Sequence, residues 1–284
     1  MKTTGIFTVH TFKIDCKVGD VINLVPFGDV HRNAPLHALE HWQKFLKNAK
    51  DNNEKNYYLG MGDYDDLMSS SERQSFVNGN FHESTQETFE QYVDGKIKDL
   101  CEEISFMKGR LIGLLGGNHY YQFRSGSTSD NKMCDIMGCK YLGVSSFIRL
   151  LITVGSGNHK CSVDIFAHHG KGNSRLPGGS FNTVEQMRER AEAHIYLMGH
   201  DHRKGCIPAG SKLFLYHQNK LSYKKQWLVR TGSFLYGYKD ESSSYIAETS
   251  MNPADLGVCR LELTPKRITT DGDDCMEVDI HGWA

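Results

Sequence analysis

Residues 21–31 read Val-Ile-Asn-Leu-Val-Pro-Phe-Gly-Asp-Val-His, a short apolar run cut off by glycine and followed at once by a carboxylate and an imidazole. An apolar run this short, bounded by a glycine, is the mark of a buried strand rather than a helix. The same arrangement recurs twice downstream. Tyr57 to Met61 ends in Gly62-Asp63, and Leu111 to Leu115 ends in Gly116-Gly117-Asn118-His119. Between these runs lie helical patterns. Asn33 is placed to cap a helix with Pro35 in its first turn and Leu36, Leu39, Trp42, Phe45, Leu46 and Ala49 along one face. After a polar stretch from Ser69 to His82, Ser84 and Glu87 form a capping-box pattern that opens a second helix running to about Met107. Strand, loop and helix in repetition predict an α/β protein with a buried, partly parallel sheet, and place function at the strand C-termini.

The second half continues the pattern. Phe147 to Val154 and Cys161 to Ala167 flank Gly155-Ser156-Gly157-Asn158 and read as an antiparallel hairpin. A helix is expected from Thr183 to Ala193, then a strand from Ile195 to Met198 that runs into Gly199-His200-Asp201-His202. Strand-like runs near Lys212 to Tyr216, Gln226 to Thr231 and Val258 to Leu263 suggest a second sheet. Neither a repeat nor a linker interrupts the 284 residues, so residues 1–284 are read as a single domain.

Composition excludes several classes. With 33 basic and 34 acidic side chains the net charge is -1, which excludes a histone-like basic protein. No window approaches the roughly 18 consecutive apolar residues of a membrane span, and the first seventeen residues lack the apolar core of a secretory signal. A cytoplasmic location without membrane association is therefore expected. The eight cysteines form no Cys-x-x-Cys pair, against both a disulfide framework and a thiolate zinc knuckle. The 14 histidines are the compositional oddity, and they cluster at strand ends.

Five runs end in metal-binding side chains: Asp29 and His31, Asp63, Asn118 and His119, His168 and His169, and His200 and His202. Singly, the first three are ordinary polar turns and His168 and His169 satisfied core histidines, whereas His200 and His202, two apart after a buried strand, are an unusual choice for a plain turn. Together they suit a shared cleft at the sheet edge. Mixed carboxylate, amide and imidazole donors favour first-row transition ions, and the number of ligands exceeds what one ion uses. Two ions bridged by a carboxylate, roughly 3.5–4 Å apart, use them better. Residues i and i+2 on an extended chain share a face, so Asp-x-His and His-x-His each present two ligands to one cavity.

The ordered blocks Asp29-Val30-His31, Gly62-Asp63-Tyr64-Asp65-Asp66, Gly117-Asn118-His119, His168-His169-Gly170 and Gly199-His200-Asp201-His202 resemble those of the calcineurin-like metallophosphoesterase superfamily, and most closely its stand-alone bacterial and phage-type members. The resemblance implies a four-layer α/β/β/α sandwich of two mixed sheets flanked by helices, with the metal site at the strand C-terminal ends. It implies a metal-dependent phosphoric ester hydrolase, with phosphomonoesters, phosphodiesters and nucleic acid all open as substrates. Asp29, His31, Asp63 and His202 would hold one ion, and Asp63, Asn118, His200 and either His169 or His168 the other, with His169 favoured by the glycine after it. The expected ions are two divalent transition metals, Mn²⁺ first, with Fe, Zn, Ni and Co as alternatives. A metal-bound hydroxide would attack phosphorus while His119 assists the leaving oxygen. The family's acid after Asn-His is here Tyr120, so Asp66 or another carboxylate must orient His119. Arg32, Arg124, Lys171, Arg175, Arg203 and Lys204 are candidates for holding substrate phosphate, and the loop from Gly170 to Phe181 for shaping specificity. A metal-binding scaffold without activity is the alternative reading.

Overall fold

The computed structural model describes residues 9–79, 82–155, 159–172, 174, 176–216, 220–240, 245–248, 250, 252–253, 255–270 and 273–284. The chain forms β1 (His10–Cys16), β2 (Ile22–Phe27), α1 (Leu39–Asp51), β3 (Asn56–Gly60), α2 (Ser70–Asn78), α3 (Glu83–Glu103) and β4 (Leu111–Leu114). It continues through α4 (Ser129–Met137), β5 (Ser145–Val154), β6 (His159–His168), α5 (Pro177–Glu185), α6 (Met187–Arg190) and β7 (Ile195–Met198). The last elements are β8 (Lys204–Tyr216), β9 (Lys220–Ser233), α7 (Tyr245–Glu248), β10 (Gly257–Val258), β11 (Arg260–Thr270) and β12 (Asp273–Trp283).

Two mixed sheets result. One is ordered β12-β11-β2-β3-β4, with β2, β3 and β4 parallel; the other is ordered β1-β5-β6-β7-β9-β10, with β8 paired to β9. Strands β2, β4 and β7 are buried on both faces, and alternate residues go to different cores. Ile22, Leu24 and Leu59 of one sheet meet Leu150, Ile165, Leu197 and Val229 of the other. Val25 and Phe27 face away from that seam, against Trp42 of α1, Val93 and Ile97 of α3 and Met133 of α4. Phe166, Tyr196 and Leu228 pack on Val184 of α5 and Met187 of α6. The layers are therefore α/β/β/α, as expected. No helix among the described residues is long and apolar enough to cross a membrane.

Local expectations were displaced in several places. The first helix starts at Leu39 without a side-chain cap, and Asn33 instead turns left-handed at φ 75° and donates to Asp65. Trp42 and Phe45 of the predicted stripe stack on each other and against Phe27 and Phe234, but Leu39 is exposed. The polar stretch after Ser69 is helix α2, and it owns the capping box, between Ser69 and Glu72. Helix α3 is capped by His82, whose ring accepts from the Ser84 N–H, and the box expected at Ser84 and Glu87 does not form. The helix expected over Thr183 to Ala193 begins earlier, with Pro177 at its first turn, and is split into α5 and α6, so residues 177–181 of the loop from Gly170 to Phe181 are helical. The hairpin of β5 and β6 forms, although its turn residues 156–158 lie outside the described ones. The late strands make no separate sheet. β9 adds parallel to β7, and β11 adds antiparallel to β2.

At the β6–β7 seam, the His194 N–H donates to Asp164 O at 2.8 Å and the His194 ring accepts from the Asp164 N–H at 3.0 Å. Burial, helped by Lys224, pushes the imidazole down to about 4. Its folded pKa thus lies below its unfolded value near 6.5, so its contribution is complete above pH 6.5 and is lost as pH falls towards 4. Urea unfolding at pH 7 and pH 4.5 should show a larger acid loss for the wild type than for His194→Asn, by roughly 2 kcal/mol after allowance for partial exposure.

Candidate metal centre

The loops after β2, β3, β4, β6 and β7 come together at one edge. Their backbones are unusual. Among the described residues only seven non-glycines have positive φ, and five are Asp29 (45°), His31 (46°), Asp63 (51°), His200 (70°) and His202 (59°). Each left-handed non-glycine costs on the order of 1 kcal/mol or more and persists only where its surroundings hold it. Here the holding is mutual: the Asp29 N–H donates to Gly62 O, the Val30 and His31 N–H groups to Asp63 O, and the Phe234 N–H to Asp29 O. The Gly199 N–H donates to His169 O. Loops this close leave no room for a side chain at Gly117, where a Cβ would collide with Asp63 Oδ1.

Each buried carboxylate divides its oxygens between structure and site. Asp63 Oδ1 accepts from the N–H groups of Asn118 (2.6 Å) and His119 (2.9 Å), leaving Oδ2 3.3 Å from His169 Nε2 and 3.8 Å from His31 Nε2. Asp29 Oδ2 accepts from the His200 N–H at 2.8 Å. Its Oδ1 is buried without a hydrogen-bond partner among the described residues, 3.8 Å from His202 Nε2. Asn118 Oδ1 sits 3.0 Å from His169 Nε2 and 2.9 Å from His200 Nδ1. His169 Nδ1 donates to Met61 O at 2.8 Å, which points Nε2 inward at two acceptors. Something positive must stand between them: a proton or an ion.

Among the described residues, three groups of donor atoms, each mutually within 4.8 Å, are Asp29, His31 and His202; Asp63, His169 and His200; and His31, Asp66 and His119. The first two share the Asp63 carboxylate as neighbour. Carboxylate, amide oxygen and imidazole without thiolate, together with the orphaned Asp29 Oδ1, fit two divalent transition ions.

The electrostatics of the bare protein point the same way. Burial pushes Asp29 up to about 6, with His169 only partly opposing it. Burial also acts on Asp63, but His169, His31 and His119 more than offset it and hold its carboxyl well below the usual range. His169 is pulled down by burial and raised more by Asp63, Asp29 and Met61 O, ending at about 9. His31 is likewise raised, burial being outweighed by Asp66, Asp63 and Asp29. His200 is lowered by burial and His169, and His202 well lowered by burial and His31. Protons on His31 and His169 thus occupy the role of bound cations.

His119 is oriented in the way its Tyr120 neighbour left open. Its Nδ1 lies 2.5 Å from Asp66 Oδ1, and this hydrogen bond from His119, followed by the His31 ring 3.7 Å away, holds the Asp66 carboxyl well below its usual range. Tyr120 does other work: the Arg73 guanidinium lies 3.8 Å over its ring, while Arg73 Nη1 donates to Met68 O, Asn118 O and Tyr120 O.

Of the doubled histidines, His169 faces the cluster; His168 points away, its Nδ1 accepting from the Gly170 N–H at 2.8 Å. Three phosphate candidates are engaged elsewhere. Arg32 pairs with Glu103 at 2.7 Å, Arg124 donates to Gln86 Oε1 and Glu83 O, and Lys204 donates to Leu256 O. Arg203 directly follows His202 and is half-buried, Lys171 is exposed beside Gly170, and Arg175 lies outside the described residues. Sequence reasoning missed the supports. Arg230, 2% exposed inside β9, donates to Ser180 O and Gly199 O and lies 3.3 Å from Asp201 Oδ2, which Ser180 Oγ also bonds. Asp130 is pushed up by burial to about 7 and accepts from the Gly117 N–H. A charged residue in an apolar strand was the available signal for Arg230; Asp130 and Arg73 had none.

No family model matches the chain, and no curated protein matches it. Among solved structures it is similar to vacuolar protein sorting 29 from Cryptosporidium parvum, at 14% identity and a TM-score of 0.34 over 94% of this chain and 100% of that one. It is also similar to a conserved uncharacterised protein, described as a predicted phosphoesterase, from Streptococcus pneumoniae, at 13% identity and a TM-score of 0.34 over 92% and 98%. Likenesses this distant add nothing to the reading of the site, which rests on its own geometry.

Two outcomes follow from that geometry. Ligation requires His169 and His31 to lose their protons, so metal affinity should rise with pH up to about 9, by at least about tenfold per unit below that, with protons released on binding. Calorimetry in buffers of different ionisation enthalpy measures that release. Replacing Arg230 by Met strands the buried Asp201 carboxylate and should destabilise the fold by about 3 kcal/mol or more, read by chemical denaturation, whereas Ser180→Ala should cost clearly less.

Proposed function

We propose that this chain is a dinuclear metal-dependent phosphoesterase of the calcineurin-like type. The observation that carries the reading is the Asp63 carboxylate, whose free oxygen lies between the histidines of two separate ligand groups, 3.8 Å from His31 and 3.3 Å from His169. Asp29, His31, Asp63 and His202 would hold one ion, and Asp63, Asn118, His169 and His200 the other. When bound, the two ions supply positive charge for a phosphoryl centre and acidify water for attack on it.

The chain's own residues complete the arrangement. The Asp63, Asn118 and His119 contacts preset the ligand positions, so little rearrangement is needed when charge builds up. His119, held through Nδ1 by Asp66, presents its other ring nitrogen as the proton donor to the leaving oxygen. Asp66 thus does for His119 what an acid at position 120 does in the resembled family. The scaffold alternative drew its support from Tyr120, and the Asp66 contact removes that support. Manganese is the expected native ion. Both ester classes, nucleic acid included, remain within reach of such a centre.

Metal-stripped protein supplied in turn with Mn²⁺, Ni²⁺, Zn²⁺ and Mg²⁺ should hydrolyse a chromogenic phosphodiester or phosphomonoester. His119→Ala should lower kcat by about 10² to 10⁴ while metal binding persists. Asp63→Asn should abolish turnover. Unchanged turnover in both variants, or none in wild type with two ions bound, overturns the proposal.

A further inference from the structure

Two of the cysteines, Cys134 and Cys139, are brought together by the turn that ends α4. Gly138 turns left-handed there at φ 67° and ψ 35°, and its N–H and that of Cys139 both donate to Cys134 O, the latter at 3.1 Å. This is the Schellman ending of a helix, in which the residue after the left-handed glycine lays its side chain against the one five positions back. Here those two side chains are thiols. Both belong to one apolar cluster, Cys134 inside it at 3% exposure and Cys139 half-buried at its rim. Their contact shows in their acidities: Cys134 pulls the Cys139 thiol down, and Cys139 pushes the Cys134 thiol up.

The turn has done the work of closure before any bond forms. A disulfide needs Cα atoms about 4.4–6.8 Å apart, which a turn closed by this hydrogen bond satisfies without moving the backbone. The two thiols also differ in the way a reactive pair requires. Cys139 is the reachable one and the more acidic, so it is the first to react, and Cys134 stands behind it to resolve the product. The surroundings tie the pair to the metal centre. At the other end of α4, Asp130 accepts from the Gly117 N–H and Ser129 Oγ from the Tyr121 N–H. Directly beyond Cys139, Lys140 O accepts from the Leu114 N–H, and the Leu142 N–H donates to Leu114 O. The thiols thus sit between two grips on the loop that carries Asn118 and His119.

We infer that Cys134 and Cys139 form a site of reversible oxidation by hydrogen peroxide, closing to a disulfide within the chain. The Cys139 thiolate attacks one peroxide oxygen and the O–O bond breaks, leaving a sulfenic acid; the departing hydroxide takes up the proton that the thiol had released and becomes water. The Cys134 sulfur then displaces the hydroxyl from Cys139, its own proton completing a second water. The two sulfurs are oxidised and the peroxide is reduced. An added thiol reopens the bond by exchange. The site is independent of the phosphoesterase reading.

The test treats the full chain, stripped of metal, with hydrogen peroxide, then removes the peroxide, unfolds and alkylates the protein and digests it with trypsin. Cleavage after Lys132 and Lys140 releases a peptide, Met133–Lys140, that holds both thiols and no other cysteine. It should appear free of alkyl groups and lighter by two hydrogen atoms, and should take two alkyl groups when dithiothreitol precedes alkylation. In Cys134→Ser, a dimedone probe should capture the sulfenic acid on Cys139; in Cys139→Ser, Cys134 should react at least about tenfold more slowly. Two alkyl groups on the wild-type peptide after peroxide, a sulfenic acid that persists on its Cys139, or a bond from either thiol to another cysteine overturns the inference. The wild-type mass alone decides it, so a variant that fails to fold leaves the test standing.

Discussion

The Asp63 carboxylate is the contact on which the rest of this molecule turns. One oxygen is fixed by two backbone N–H groups from the loop after β4, and the other faces imidazoles carried by the loops after β2 and β6. Three strand ends are thereby bound to a single buried side chain. A carboxylate buried in this way is tolerable only with positive charge beside it. The bare protein supplies that charge as protonated imidazole; a metal would supply it more permanently.

That requirement explains why the strand ends are strained. Asp29, His31, Asp63, His200 and His202 all take a left-handed backbone that glycine would adopt freely. Glycine stands next to three of them, at Gly28, Gly62 and Gly199, but not in their place, and the side chains kept there are the donor groups that the cluster brings together. The cost falls on the surrounding lattice of hydrogen bonds. Arg230, Ser180 and Asp201 brace the loop after β7, Asp130 the loop after β4, and Arg73 the backbone of Asn118 and Tyr120.

The two halves of the site differ in how visible they were. Donor residues stood directly after apolar runs, so their grouping followed from the expectation that parallel strand ends share an edge. The buried supports gave no such signal. Arg73 lies in a stretch that reads as polar loop and is helix α2, and Asp130 has no motif around it. Orientation was also hidden. His168 and His169 are adjacent, and only the pleat of β6 with the Gly170 contact decides which one turns inward. Among the basic residues, Arg32 looked suited to phosphate by its place beside His31, yet a carboxylate on α3 lies within its reach.

Sequence alone determined the α/β class, the doubly buried strands and the set of donors, because periodicity and the residue following each run are local properties. It also misplaced what depends on partners: the start of α1, the owner of the capping box, and the sheet to which β9 and β11 belong. Only the tertiary structure decided those, since a cap forms where the preceding chain is held, and an edge strand joins whichever sheet leaves a ladder open. The same holds for the His119–Asp66 pair and the orphaned oxygen of Asp29. Such atoms are defined by what lies across the fold from them, at separations of tens to hundreds of residues that no local pattern records.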